Sequence, residues 1–288
     1  MAEQSLSNDQ LANGVDVEPG QAVSVVTDPP FDITKLPDVM DAQKDEPGGR
    51  PWKEGATLMR RWFNGPATGS EPDTTTITMN WILGYDRAKV AYDHVLNGQY
   101  YLKAQDPKNT PDVRNNIMKM FMIGGKVRLG KFGDLDKVSK ALRNGDTAAI
   151  KASYINRMDC GSQMDPLDGL KAALGRWNFY IHVEGTVEED EEQNAIQAFF
   201  RGKYKATITR VGVHVRDSFD FDGFQPLGCW NIKKKTVDYL MCDGGERVYN
   251  ADFRKWREEN NKGGDFLIYS DLLVTSVPSD RAYFYFDP

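Results

Sequence analysis

The stretch from residue 205 to 231 places carboxylates beside aromatic residues at the end of a predicted strand. Asp217 and Asp220 lie three positions apart, and Asp222 follows two residues later. Carboxylates held against apolar surface have shifted pKa values and are candidates for acid–base catalysis or metal binding. We therefore take Asp217 and Asp220 as candidate catalytic residues. The alternative is that Asp217 caps a turn by accepting hydrogen bonds from nearby backbone amides.

Strict alternation in this strand sorts its side chains onto two faces. The valines share one face with Asp217, whose carboxyl there needs partners or a raised pKa. The opposite face carries His214, Arg216 and Asp220. Because such a group can move a proton or hold an anion, His214 and Arg216 join the candidate catalytic residues.

A second alternating segment, from Trp177 to Val183, predicts a half-buried strand with His182 beside Glu184 on its polar face. If this strand pairs antiparallel with the strand that ends at the acids, the polar faces coincide. His182, Glu184, His214 and Arg216 would then cluster, although the sequence leaves the register open. The alternative is that His182 is an ordinary exposed strand residue.

A third group lies downstream and could bind an anion. Arg254 and Arg257 are three positions apart, so on a helix they share a face and could clamp a phosphate or one of the acids. The glycine pair at 263 and 264 permits a close approach to a strand that begins at Asp265, which we include as a binding candidate. The alternative is a short surface helix with Trp256 packed inward.

Charge distribution excludes some partners. The 288-residue chain has a formal net charge of −6, and the six acids before Lys35 account for that excess. The balanced remainder offers no basic stripe, so nucleic acid is not an expected partner. No run approaches the roughly 18 apolar residues of a membrane span. Because no secretory signal is visible, we expect synthesis in the cytoplasm without a cleaved leader.

The spacing of the cysteines and the absence of several sequence motifs exclude further kinds of site and classes of enzyme. Cys160, Cys229 and Cys242 show no CxxC spacing, so we expect buried thiols in a reducing cytosol, with neither a disulfide framework nor a zinc site. A catalytic Cys160 remains an alternative without an identifiable partner histidine. No phosphate-binding loop, dinucleotide fingerprint, nucleophile elbow or zincin motif is present.

The predicted secondary structure that positions these residues changes along the chain from mainly helical to mainly strand. Residues 1–30 are polar and acidic and predict a disordered tail. Residues 31–288 are expected to form a single α+β domain, with a helical part over 55–174 and a β-rich part over 175–288. The helical part would pack on an antiparallel sheet or a partly open barrel. Helices are predicted over 56–63, 76–98, 110–124, 134–142 and 147–156, and strands over 177–183, 204–217, 236–241, 266–274 and 282–286.

Four groups of segments are distinctive: Phe31-Asp32-Ile33, the LMRRWF run at 58–63, the RDSFDFDG run at 216–223 with LGCW at 227–230, and DFRKWR followed by GGDFLIYSD. Together they resemble an uncharacterised proteobacterial family associated with type VI secretion and polymorphic-toxin loci. The resemblance covers most of the chain after about residue 30. It implies a contact-dependent antibacterial context and no particular reaction.

A narrower similarity links residues 217–220 to the Asp-x-Tyr-Asp core of the colicin M group, which cleaves the lipid-linked peptidoglycan precursor. That motif implies Asp217 and Asp220 as the acidic pair, with Phe219 in place of the tyrosine. The group has a His-Arg pair soon after the acids, which this chain lacks. His214 and Arg216, just before the acids, could substitute in space.

The expected function is therefore an antibacterial type VI-type effector that hydrolyses a phosphoester of an envelope precursor, with a divalent metal such as Mg²⁺ as one candidate cofactor. Its expected partners are a secretion spike or adaptor and a cognate immunity protein, and its expected site of action is a target cell's periplasm. The alternative is a non-enzymatic adaptor or immunity-type binding protein of the same system.

Overall fold

A long antiparallel hairpin organises this computed structural model, which describes residues 31–45, 49–162, 164–190, 202–239 and 241–288. Strands β5 (Trp177–Glu189) and β6 (Tyr204–Phe219) pair along their length, with a register shift between Glu184 and Gly185. The predicted antiparallel pairing is confirmed. The predicted disordered tail, residues 1–30, lies outside the described residues.

Shorter strands extend the hairpin on both sides. The outer edge of β5 pairs with β3 and β4, and the outer edge of β6 pairs successively with β10, β11 and β12. β7, β8 and β9 form a separate small sheet, and β1 and β2 form a hairpin. The bounds are β1 Met122–Ile123, β2 Lys126–Val127, β3 Gly130–Phe132, β4 Asn156–Cys160, β7 Pro226–Asn231, β8 Thr236–Asp238, β9 Glu246–Tyr249, β10 Phe266–Tyr269, β11 Leu273–Ser276 and β12 Tyr283–Phe286.

The helices lie mainly before the long hairpin. Their bounds are α1 Leu36–Ala42, α2 Lys53–Asn64, α3 Met79–Ile82, α4 Asp86–Asn97, α5 Thr110–Met118, α6 Leu135–Arg143, α7 Thr147–Ser153, α8 Gly169–Leu174 and α9 Asn250–Asn260. The predicted α+β class with an antiparallel sheet is confirmed. Residues from Asp32 to Pro288 form one compact unit.

Local details depart from the predicted elements. The helix predicted over 76–98 is two helices, because Tyr85 has extended dihedral angles at the start of α4. The strand predicted over 266–274 is likewise interrupted between β10 and β11. β1 to β4 lie in the part predicted to be helical, and β3 and β4 join the main sheet.

Both faces of the central strand pair are covered. α4 packs on the valine face, where Tyr92 contacts Phe179 at 6.1 Å between ring centroids. α6 and α7 cover the other face through an apolar cluster that includes Leu142, Ile150 and Tyr269. The expectation of a solvent-facing polar side is therefore wrong here, because the helical layer closes over it.

Candidate functional site

The acidic segment is anchored by its aromatic residues. Phe221 stacks on Phe253 of α9 and meets Trp62 of α2 edge to face, with ring centroids 4.9 Å apart in the second pair. Phe219 stacks on Phe266 of β10 at 5.4 Å. Both phenylalanines are buried. The alternation of Phe and Asp thus fixes the backbone while leaving Asp220 and Asp222 exposed.

Helix α9 holds the carbonyls that follow Asp220. Arg254 donates to the carbonyl oxygens of Phe221 and Gly223, and Asn250 Nδ2 donates to that of Asp222 at 2.6 Å. The predicted role of Arg254 in clamping an anion stays untested. Its contacts favour a positioning role, since its Nη1 is already directed at the acidic loop.

Asp217 lies inside β6 and not at a turn. It is paired with Ile268 of β10, on the face that carries the valines. The residue keeps intermediate exposure, yet its carboxyl is closely enclosed. Burial raises the pKa of this carboxyl well above its usual range; a hydrogen bond from Ser218 opposes the shift, Asp220 reinforces it and Arg216 opposes it. The Asp220 carboxylate therefore lies close enough to act on the Asp217 carboxyl.

The two predicted histidines form a buried pair on the opposite face. His182 Nε2 lies 3.0 Å from His214 Nδ1, and neither residue is more than 1% exposed. Burial lowers the pKa of His182 to about 4, with the Ser153 backbone opposing the shift. Burial, His182 and Arg216 hold the pKa of His214 well below its usual value.

This placement corrects two expectations. The predicted common face of His182 and His214 is confirmed, but Glu184 is directed to Arg210, which it binds through both carboxylate oxygens. His214 faces away from Asp217, so it does not replace the missing downstream histidine. Arg216 donates to the Tyr180 hydroxyl at 3.0 Å and is the cation that acts on Asp217.

Arg257 and Asp265 are paired with each other. Arg257 binds the Asp265 carboxylate, which also accepts a hydrogen bond from Trp62 Nε1 at 2.9 Å. The guanidinium lies over the Trp62 ring at 5.2 Å. These contacts connect α9 and α2 to β10 beneath the acidic loop. They favour a structural role for both residues, and their predicted binding role stays a prediction.

A second buried charged cluster was not predicted. Asp45 accepts hydrogen bonds from Trp52 Nε1 at 2.9 Å and from the Gly169 amide at 2.6 Å. Nearby, Arg87 binds Asp168 through two nitrogens. The residues of this charged cluster come from three segments that are distant in the sequence. No short spacing connects them, so the sequence pattern did not indicate the cluster.

The described residues offer no evident metal centre. Among them, no three His, Cys, Asp or Glu side chains gather as a metal-binding group. The carboxylates at the end of β6 do not fit the predicted divalent ion, because Asp217 is enclosed and has a raised pKa while Asp220 is exposed. No reaction step is assigned to a metal.

The cysteine prediction is wrong for two residues. Cys229 and Cys242 form a disulfide with a Cα–Cα distance of 5.2 Å. The bond joins β7 to the loop between β8 and β9, which brings together two cysteines that sequence spacing did not connect. Cys160 is a free buried thiol as predicted, and burial raises its pKa to about 12, which disfavours a nucleophilic role.

Reducing the disulfide is expected to lower the free energy of unfolding by about 3 kcal/mol, because the bond closes a loop across 13 positions. Urea denaturation of the Cys229→Ser/Cys242→Ser variant measures this loss. Cys160→Ser, a buried thiol outside the bond, is the control for cysteine replacement itself. A denaturation midpoint that does not respond to reductant would contradict the prediction.

These features define an α+β protein with a curled antiparallel sheet, a carboxylate pair at the end of its central strand and a disulfide-linked side sheet. The chain belongs to a family of unknown function, DUF6402, whose model matches residues 67–241 and 232–284. All the predicted site residues lie within those ranges. Searches of curated proteins and of solved structures found no match. No helix among the described residues is long and apolar enough to cross a membrane.

Proposed function

We propose that this protein is an antibacterial effector of the type VI kind that hydrolyses a phosphoester of a cell-envelope precursor. The observation that carries the proposal is the unlike environment of two neighbouring carboxylates. Asp217 is enclosed and has a raised pKa, whereas Asp220 is exposed just after the end of β6. Paired carboxylates with divergent environments are suited to divide the acid and base roles.

In the proposed reaction, Asp217 is the general acid and Asp220 is the general base. Asp220 takes a proton from a water molecule while the water oxygen forms a bond to phosphorus. The bond from phosphorus to the leaving oxygen breaks, and Asp217 gives its proton to that oxygen. Proton exchange with solvent restores both carboxyl groups. His214 has no step, because it faces the other side of the sheet.

Two further observations support the proposal. The spacing of Asp217 and Asp220 is similar to that of the colicin M acids. The Cys229–Cys242 disulfide suits an oxidising compartment such as the periplasm. The proposal therefore includes synthesis in the cytoplasm, delivery by a secretion spike or adaptor, and protection of the producer by an immunity protein.

Expression directed to the bacterial periplasm is expected to stop growth, and Asp217→Asn or Asp220→Asn is expected to reduce killing at least 100-fold, the scale of a lost general acid or base. Plating efficiency after induction measures the effect. Asp222→Asn is the matched control, because this acid is exposed in the same loop. Thermal denaturation of each variant verifies folding. Equal killing by the wild type and the Asp220→Asn variant would exclude the proposed base.

A second candidate is a non-enzymatic adaptor or immunity-type protein. The exposed Phe224 favours it: this ring is 84% exposed and stacks on Tyr249 at 5.4 Å, beside the disulfide-linked sheet. Exposed aromatic rings are common at the centres of protein interfaces. A stoichiometric partner from the native host that is lost with Phe224→Ser, together with no toxicity in either compartment, would favour this candidate over the hydrolase.

A further inference from the structure

The β1–β2 hairpin carries apolar side chains into solvent. Gly124 and Gly125 form its turn with φ values of 59° and 76°, a backbone that glycine adopts readily. Ile123, just before the turn, is 61% exposed, and Leu129, just after the hairpin, is 53% exposed. Two large aliphatic side chains on one short projecting segment are a feature of interaction surfaces.

The segment that carries these side chains is rich in positive charge. Between Asp112 and Asp134 the chain has five Lys or Arg residues and no acid. All five are exposed; Arg114 lies over the Phe284 ring, and the other four are Lys119, Lys126, Arg128 and Lys131. Within the described ranges none of the four forms an ion pair, and only Lys119 has a side-chain hydrogen bond, to Asn116.

The hairpin geometry places part of this charge beside the exposed isoleucine. Ile123 is directly opposite Lys126 in the β1–β2 register. The Arg128 amide donates a hydrogen bond to the Phe121 carbonyl, so the ladder between the two chain segments continues beyond β1 and β2. Because side chains alternate along a strand, Arg128 lies on the same face as Lys126. On the neighbouring strand β5, Glu188 lies 3.9 Å from Lys205, and Lys131 is opposite the uncharged Thr186.

We propose that the segment from Lys119 to Lys131 docks the protein on an anionic phospholipid bilayer. The cations would bind the headgroups, and Ile123 and Leu129 would enter the interface. The exposed aliphatic side chains favour lipid over nucleic acid, because a phosphate backbone gives them no apolar partner. The surface is independent of the proposed hydrolase, since it uses neither Asp217 nor Asp220.

Co-sedimentation of the full chain with vesicles tests the proposal. The protein is expected to bind vesicles of 70% phosphatidylcholine and 30% phosphatidylglycerol and not to bind pure phosphatidylcholine. Each cation is expected to raise the affinity for the anionic vesicles about fivefold. The triple substitution Lys126→Gln, Arg128→Gln and Lys131→Gln is expected to weaken binding roughly 100-fold. A charge-matched control replaces Lys53, Lys89 and Lys262 with Gln and should bind like the wild type.

The tryptophan fluorescence of the Ile123→Trp variant tests whether this position inserts into the bilayer interface. We expect its emission maximum to shift to the blue with the anionic vesicles only. Asp217→Asn should bind vesicles normally even if it abolishes toxicity, so the two proposals fail separately. The docking proposal is overturned by absence of binding to anionic vesicles, by equal binding of the triple variant and its control, or by binding to duplex DNA but not to vesicles.

Discussion

Lowering the pH from 7 to 5 is expected to weaken the fold by at least about 2 kcal/mol through the buried His182–His214 pair. In the unfolded chain both imidazoles bind protons below a pKa of about 6.5. In the folded protein burial holds the pKa of His182 at about 4 and that of His214 well below its usual value. His182 therefore contributes about 2 kcal/mol of proton-linked destabilisation at pH 5, and His214 acts in the same direction.

The sign follows from proton binding. Between the folded and unfolded pKa values, the unfolded chain binds more protons, so acid favours unfolding. The stabilisation is complete above about pH 7 and falls as the pH drops through the unfolded value towards the folded value of about 4. Asp217 acts in the opposite direction, because its raised pKa lets the folded state take up a proton first.

Urea denaturation at pH 7, 6 and 5 measures the effect, and a double variant isolates it from Asp217. His182→Leu with His214→Leu removes both partners of the hydrogen bond together and should flatten the pH dependence by at least about 2 kcal/mol. His94→Gln is the control, because His94 is the exposed third histidine. Parallel pH profiles for the wild type and the double variant would exclude the histidine pair as the acid-sensitive element.

The strand alternation around residue 214 predicted which side chains share a face, but not what covers that face. Period-two patterning reports only that two sides differ. The polar side of β5 and β6 is buried because α6 and α7 place Leu142 and Ile150 over it. That contact depends on how the helices pack on the sheet. An amphipathic pattern predicts that a helix buries one face, but not which part of the sheet that face covers.

The acidic segment illustrates the same limit at the candidate site. The strand alternation correctly predicted that Asp217 lies on the face that carries the valines. The arginines downstream could not be assigned from spacing, since a guanidinium binds backbone carbonyls and carboxylates equally well. Only the fold shows Arg254 directed at the loop carbonyls and Arg257 at Asp265.

The cluster around Asp45 was invisible for another reason. Its hydrogen bond from the Gly169 amide spans 124 positions. Arg87 was one of several charged residues on a predicted helix, with nothing to distinguish it from a solvated neighbour. In the structure the Arg87 guanidinium binds Asp168 and lies 3.6 Å from Asp165. The buried Asp168 carboxylate therefore depends on this guanidinium as its charged partner.

Arg87→Met is accordingly expected to lower the free energy of unfolding by about 3–5 kcal/mol, the cost of leaving a buried carboxylate without its partner. The Asp168 side chain is only 12% exposed and that of Arg87 26%, so solvent screens the pair weakly. The midpoint of urea denaturation at pH 7 measures the loss. Asp168→Asn in the Arg87→Met background should recover part of it, since the amide removes the unpaired charge.

Arg60→Met supplies the matched control, because Arg60 also binds two carboxylates, those of Asp38 and Asp41, but at the surface. Those side chains are 41–54% exposed, so this loss should stay within about 1 kcal/mol. Equal losses for Arg87→Met and Arg60→Met would mean that burial does not set the strength of the Arg87 contacts. A much larger loss for Arg87→Met, recovered by Asp168→Asn, would attribute the stability of the α4–α8 junction to this ion pair.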